Sequence, residues 1–252
     1  MTDLTFGIDI GGSGVKGALV ELDRGALVGE ELRLPTPQPS TPDAVADVVA
    51  EILETFDWDG TVGITVPGVV IDGIVRTAPN IDSAWIGTDA RELFAKRLAL
   101  DSADVVVLND ADAAGVAEVR FGDARGRTGC VLVLTFGTGI GSALFIDGTL
   151  VPNTEFGHIE VDGDIGERRA AAAAREREGL GYQEWTARVS RYLGVLERML
   201  WPELIILGGG VSKDAAQWVP LLRTRTPLAV ASLQNTAGIV GAAAAACDAR
   251  AK

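Results

Sequence analysis

Three glycine-rich turns and a handful of acids are the residues of this chain that could do chemistry. The first turn is Asp9-Ile10-Gly11-Gly12-Ser13-Gly14-Val15-Lys16-Gly17. Leu4 to Ile8 before it is apolar and suits a buried strand, and Ala18 to Leu22 after it resumes one. The order is therefore strand, tight turn, strand. Dinucleotide fingerprints and Walker-type phosphate loops both need a helix next, so neither applies. Gly11, Gly12, Ser13 and Gly14 instead offer backbone N–H groups that can close on an anion with no Cβ in the way, and Lys16 is grouped with them. Asp9 ends the first strand and faces the turn. A carboxylate facing phosphates makes sense with a divalent cation between them. An ordinary glycine hairpin would look the same in isolation.

A second copy favours the anion reading. Thr135-Phe136-Gly137-Thr138-Gly139-Ile140-Gly141-Ser142 follows the apolar strand Cys130 to Leu134 and runs into another strand, Ala143 to Ile146. A third turn, Gly208-Gly209-Gly210, follows the apolar strand Leu204 to Leu207. Thr138, Gly139, Gly209 and Gly210 thus join the candidate phosphate-binding residues. Two strand–turn–strand units half a chain apart suggest two similar halves around a shared cleft.

The acids follow. Val105 to Leu108 reads as a buried strand that delivers Asn109-Asp110 at its carboxyl end, with a helix from Asp112 to Val119 behind it. Open α/β sheets place ligand chemistry at that end of their strands. Asp110 is read as the reactive carboxylate and Asp112 as the helix cap. Val151 to Gly166 holds Glu155, His158, Glu160, Asp162 and Asp164. One histidine without nearby cysteine makes a poor zinc site. Glu155 can accept from vicinal hydroxyls and His158 offers one donor and one acceptor. The remaining acids also fit a solvated loop.

Several elements must position these groups. Pro35 to Pro42 is a proline-rich connector, and Thr41 caps a helix with Pro42 in its first position. Val45, Val48, Val49, Ile52, Leu53 and Phe56 give that helix one apolar face. Gly60 to Val66 is a strand, Pro67-Gly68 turns it, and Val69 to Val75 is a hairpin around Asp72-Gly73. Asn80 to Gly87 is a loop plugged by Trp85, and Thr88 to Leu98 a helix. Glu167-Arg168-Arg169 opens one alanine-rich helix that continues to Arg175-Glu176-Arg177. Its arginines read as a solvated, charge-compensated face, or as a track for a phosphate chain. Tyr182 to Leu200 is an amphipathic helix, Lys213 to Val219 a helix start, and Ala237 to Ala249 a small-residue helix returning to the first half.

Composition limits the options. A net charge of −13 opposes nonspecific nucleic-acid binding. The apolar run Ala237 to Cys247 is too short to span a bilayer. Met1-Thr2-Asp3 lacks the basic start of a signal peptide, and the two cysteines read as buried thiols in a reducing compartment. A cytoplasmic protein with no membrane or nucleic-acid partner is expected.

Asp9-Ile10-Gly11-Gly12, Asn109-Asp110, Gly137-Thr138-Gly139-Ile140-Gly141, Glu155-Phe156-Gly157-His158 and Gly208-Gly209-Gly210-Val211-Ser212 stand in an order that resembles the ROK family of sugar kinases. The resemblance spans nearly the whole chain and is nearest to the polyphosphate-using glucokinases of that family. It implies an α/β, actin/hexokinase-like (ribonuclease H-like) fold with a cleft between two similar domains. The first would be residues 1–110, completed by a C-terminal helix at 237–252, and the larger second would be 111–236. The implied reaction is phosphoryl transfer from polyphosphate, and from ATP, to the 6-hydroxyl of glucose. A strictly ATP-dependent hexose or N-acyl-hexosamine kinase is the alternative. Asp110 would be the base. Gly68, Asn80, Asn109, Asp110, Glu155, His158 and Glu167 would bind sugar, and Asp9 would hold Mg²⁺ indirectly. Family members with a structural zinc use three cysteines that this chain lacks, so no zinc is expected. A homodimer is the family-based expectation. The family's repressors carry an N-terminal helix-turn-helix domain, for which a first strand beginning near Leu4 leaves no room. An actin-like assembly protein would lack Glu155-x-x-His158.

Overall fold

The structure, a computed structural model, describes residues 4–250; Met1-Thr2-Asp3 lies outside the described residues. The first part of the chain forms β1 (Leu4–Ile10), β2 (Gly14–Glu21), β3 (Ala26–Pro35), α1 (Pro42–Thr55), β4 (Val62–Val66), β5 (Val70–Ile71), β6 (Ile74–Val75), α2 (Ala90–Leu98), β7 (Val105–Asn109) and α3 (Asp110–Arg120). There follow β8 (Cys130–Phe136), β9 (Ile140–Ile146), β10 (Thr149–Val151), β11 (Glu160–Val161), β12 (Asp164–Ile165), α4 (Gly166–Ala170), α5 (Ala172–Glu178), α6 (Tyr182–Leu200), β13 (Leu204–Gly208), α7 (Ala215–Trp218), β14 (Leu228–Val230) and α8 (Ala237–Arg250). Among the described residues no helix is long and apolar enough to cross a membrane.

Residues up to Ala117, with those from Thr236 onward, form one unit, and Glu118–Asn235 the other. The division falls inside α3, beyond the 110/111 position expected from sequence. The reason is local: α3 is continuous, and its first turns lie against α8, where a Cβ on Gly241 would sit 1.7 Å from the carbonyl oxygen of Ala113.

The first unit holds a five-stranded sheet of order β3-β2-β1-β4-β7. β1, β2 and β3 are antiparallel, and β4 and β7 run parallel to β1. Val45, Val49, Ile52 and Leu53 of α1 pack with Phe6, Ile8 and Val15 in the core. Thr41 caps α1 as expected, its Oγ1 accepting from the Ala44 N–H. α8 lies against β1 and β4 at backbone distance. A Cβ on Gly7 would be 2.0 Å from the Ile239 carbonyl oxygen, and one on Gly63 1.9 Å from that of Ala242. Glycine at these strand positions is what permits that approach. Trp85 is fully buried as a packing residue, and its indole N–H donates to the Ser40 carbonyl at 2.9 Å.

The second unit repeats the plan, with sheet order β10-β9-β8-β13-β14. Phe136, Trp185 and Trp218 form an aromatic cluster in its core, the two indoles 5.1 Å apart. Those indoles also pin backbone: Trp218 donates to Val211 O, and Trp185 to Ala170 O and Ala171 O. The second of these accounts for a departure from the expected single alanine-rich helix. Ala171 is extended (φ −62, ψ 158), so α4 and α5 are separate. Lys213 to Val219 likewise is a tight 3-10 turn, Gly210–Asp214, followed by the short α7.

Candidate active site

In the first unit the glycine turn is closed by a hydrogen bond from Gly11 N to Gly14 O, 2.9 Å. Ser13 and Gly12 are exposed at its tip. Asp9 stands at the base of the turn. Its Oδ2 pairs with Lys16 Nζ at 2.8 Å, and its Oδ1 accepts from Thr65 Oγ1 at 3.0 Å. Behind it is the start of α8, where a Cβ on Gly238 would lie 2.7 Å from the Asp9 carboxyl carbon. The carboxylate is therefore fixed from three sides. The Asn80 backbone approaches the same turn, its carbonyl oxygen 3.3 Å from where a Gly12 Cβ would be, and the Asn80 residue is exposed.

Gly68, Asn109 and Asp110 come together at the ends of β4 and β7. Asn109 is buried; its Nδ2 donates to Gly68 O at 3.0 Å, and its Oδ1 accepts from the N–H groups of Ala111 and Asp112 at 2.8 and 3.0 Å. Asn109 is thus the side chain that caps α3. The cap assigned from sequence to Asp112 is corrected here: Asp112 lies within the first turn, buried, because the helix begins two residues earlier than expected. Asp110 is half-buried at that helix start, its Oδ1 accepting from Ala111 N at 2.9 Å. Both the cap and the glycine carbonyl hold the Asn109-Asp110 backbone, which presents the Asp110 carboxylate at the strand end.

In the second unit Gly137 N donates to Gly139 O at 3.0 Å, closing the second turn with Thr138 exposed at its tip. Glu167 reaches into this turn. Its Oε2 accepts from Ile140 N at 3.0 Å, and a Cβ on Gly139 would be 2.4 Å from that oxygen. Its Oε1 lies 3.5 Å from His158 Nε2, while His158 Nδ1 lies 3.6 Å from Glu155 Oε2. The result is a row of acid, imidazole and acid, each partly open to solvent. Burial, with the neighbouring Glu167 charge, pushes the Glu155 carboxyl above its usual range, and the nearby imidazole opposes that shift. Ser142 steers the loop that carries Glu155: its Oγ donates to Thr154 O at 2.6 Å and accepts from Phe156 N at 3.0 Å. The third glycine turn adjoins the second. Gly209 has φ 84, and a Cβ there would lie 2.4 Å from Phe136 O, while Gly210 is open.

The residues outside these clusters behave differently. Arg168 pairs with Asp164 at 3.6 Å, Arg177 with Glu178 at 3.3 Å, and Arg175 stacks on Tyr182 at 4.5 Å. These are the contacts of a charge-compensated surface. Arg191 pairs with Asp162 on the surface in the same way. The sequence reading passed over one cation beside the first turn, Arg33 of β3, whose Nη2 is 3.4 Å from Ser13 Oγ. Strand β3 is largely exposed, and Arg33 stands on the outward side of its short Leu32/Leu34 alternation, where a charged residue draws no notice.

Glycine turns after apolar strands in each of two like-ordered sheets, with acids at the strand ends, define a sugar-kinase class of the actin/hexokinase-like fold. Residues 5–179 match the ROK family model, and the chain belongs to that family. It is 54% identical over 240 residues to the polyphosphate glucokinase of Mycobacterium tuberculosis, covering 95% of this chain and 90% of that protein. Among solved structures, the inorganic polyphosphate/ATP-glucomannokinase of an Arthrobacter strain superposes with a TM-score of 0.92 at 48% identity, over 97% of this chain and 98% of that one. A ROK glucokinase from Streptomyces griseus, solved with glucose and AMPPNP, gives a TM-score of 0.83 at 26% identity over 98% of this chain and all of that one (100%).

Proposed function

We infer that this chain transfers a phosphoryl group from inorganic polyphosphate, and from ATP, to the 6-hydroxyl of glucose, giving glucose 6-phosphate. The observation that carries the reading is the Glu155–His158–Glu167 row on the second glycine turn of a chain so near to a polyphosphate glucokinase. Three groups that accept or donate to hydroxyls suit a sugar and have no obvious use in a protein that binds nucleotide alone.

Phosphoryl transfer asks the protein for positioning and charge stabilisation more than for covalent chemistry. Asp110 takes the proton of the sugar hydroxyl as its oxygen attacks the terminal phosphorus; the bond to the leaving phosphate breaks, releasing ADP or a shortened chain. Gly68, Asn80, Asn109, Glu155, His158 and Glu167 orient the ring. Asn109 does so with the single Nδ2 hydrogen left after its bond to Gly68. Backbone N–H groups of Gly12, Ser13 and Gly14, with those of Thr138, Gly139, Gly209 and Gly210, cradle the donor, and Gly11, whose N–H closes the turn on Gly14 O, shapes that cradle. Lys16 neutralises Asp9 at rest and lies within reach of the same phosphates. Asp9 fits a hydrated Mg²⁺: its two oxygens already serve Thr65 and Lys16, which leaves lone pairs for water. Bound there, the cation would offset charge on the donor phosphates.

We further propose a cytoplasmic homodimer without membrane or nucleic-acid partners; light scattering of the purified chain tests the dimer. Initial rates across a matrix of donors (polyphosphate, ATP) and sugars (glucose, mannose, N-acetylglucosamine), with and without Mg²⁺, test the activity. Turnover with ATP alone would replace this reading by that of a strictly ATP-dependent hexose kinase.

A further inference from the structure

We propose that Arg33 is a ligand for the donor phosphates at the first glycine turn; this rests on the donor reading above. β2 and β3 pair so that Lys16 stands opposite Arg33. Arg33 is exposed, yet its side chain stays with the turn. It folds back over the turn, with Nη2 3.4 Å from Ser13 Oγ and the guanidinium lying against Gly14. A Cβ on Gly14 would sit 2.6 Å from Nε and 2.9 Å from Nη2. Glycine at 14 is therefore what admits the guanidinium to this position.

Charge supplies the second argument. Several surface arginines of the chain sit on acids: Arg97 on Asp43, Arg188 on Glu178, Arg191 on Asp162. Among the described residues no carboxylate forms an ion pair with Arg33, in a chain whose net charge is −13. An uncompensated guanidinium, laid across a turn of exposed N–H groups, lacks only an anion. Its planar fork matches two phosphate oxygens at once, and the Ser13 contact occupies one edge of it. Lys16, by contrast, is engaged by Asp9. Arg33 is thus the cation at this turn that is free to meet the donor, and the chemistry it recognises is the phosphoanhydride chain common to polyphosphate and nucleoside triphosphates.

The test is steady-state kinetics of wild type, Arg33→Gln and Arg33→Lys with tripolyphosphate, long-chain polyphosphate and ATP, alongside glucose KM and thermal midpoint. Arg33→Gln is expected to raise KM for every donor by about tenfold or more, the loss typical of a charge-assisted pair. Glucose KM and the midpoint should stay put, and Arg33→Lys should recover part of the loss. Unchanged donor KM in Arg33→Gln overturns the proposal. So does a rise in donor and glucose KM together with a lower midpoint, which would mark Arg33 as a brace for Ser13. Wild-type protein inert with all donors would instead overturn the donor reading itself, and this inference with it.

Discussion

The two units share a sheet order and differ in how each holds its glycine turn. In the first, β1 and β2 pair out to Ile10 opposite Val15, leaving four residues between. In the second, β8 and β9 pair out to Phe136 opposite Ile140, leaving three. The longer turn is anchored by charges on its own strands, Asp9 facing Lys16. The shorter one is anchored by Glu167, an acid delivered from a helix 27 residues downstream of Ile140. The same topology therefore separates two tasks. One copy keeps a rigid acid–base pair beside exposed N–H groups, suited to a phosphate. The other sets a row of hydroxyl-seeking groups, Glu155, His158 and Glu167, beside its own N–H groups, which adds a feature suited to a sugar.

The sharpest way to test that division starts with the acid that belongs to neither turn. Asp110→Asn should lower kcat by about a thousandfold while glucose still stabilises the protein against heat, because only proton acceptance is lost. Near-normal kcat would take Asp110 out of the reaction. Next come paired glycines. Gly238→Ala pushes against the Asp9 carboxylate and Gly139→Ala against that of Glu167. The first should lower turnover with every donor by tens of fold and leave glucose KM in place, and the second should raise glucose KM together with donor KM. Each cost follows from overpacking of about 1–3 kcal/mol placed on one functional group. Identical kinetic signatures from the two variants would dissolve the comparison.

A pH experiment sharpens it further. Because the Glu155 pKa is raised, its acid limb in glucose affinity should lie above the ordinary Glu value of about 4.3. Glu155→Gln should abolish that limb. The stability effect has the opposite sense: the raised pKa favours the fold fully below the unfolded value, and that contribution is lost as pH rises through the folded one. Glu155→Gln should therefore gain on wild type in thermal midpoint towards neutral pH and lose the advantage in acid. The smallest effect is expected at Asp162→Asn. Loss of an exposed, solvent-screened pair with Arg191 should leave the denaturant unfolding midpoint nearly where it is and kcat unchanged.

Most of this plan was legible in the sequence because it is written in strong local signals. Glycines bounded by apolar strands, Thr41-Pro42 before an apolar face, and Asn109-Asp110 after a buried run all appear where expected. What escaped was set by tertiary contacts. Alanine has a high helix propensity, so nothing local announces the break at Ala171; an indole 14 residues away makes it. Asn109 and Asp112 are both good caps, and only the tie to the Gly68 carbonyl decides between them. Arg33 lies on the outward side of an edge strand, where a charged residue is unremarkable, and its relation to Gly14 depends on the pairing register.

The backbone-to-backbone seating of α8 on β1 and β4 bears on the order of assembly. A ribosome makes the strands of the first sheet early, yet one face of that sheet stays uncovered until residues beyond Ala237 have been synthesised. Glu118–Asn235, made in between, needs nothing from later residues to fill its own core. The half that is translated first is therefore the half that closes last, and nascent chains stalled short of α8 should show a settled second half beside a protease-sensitive first.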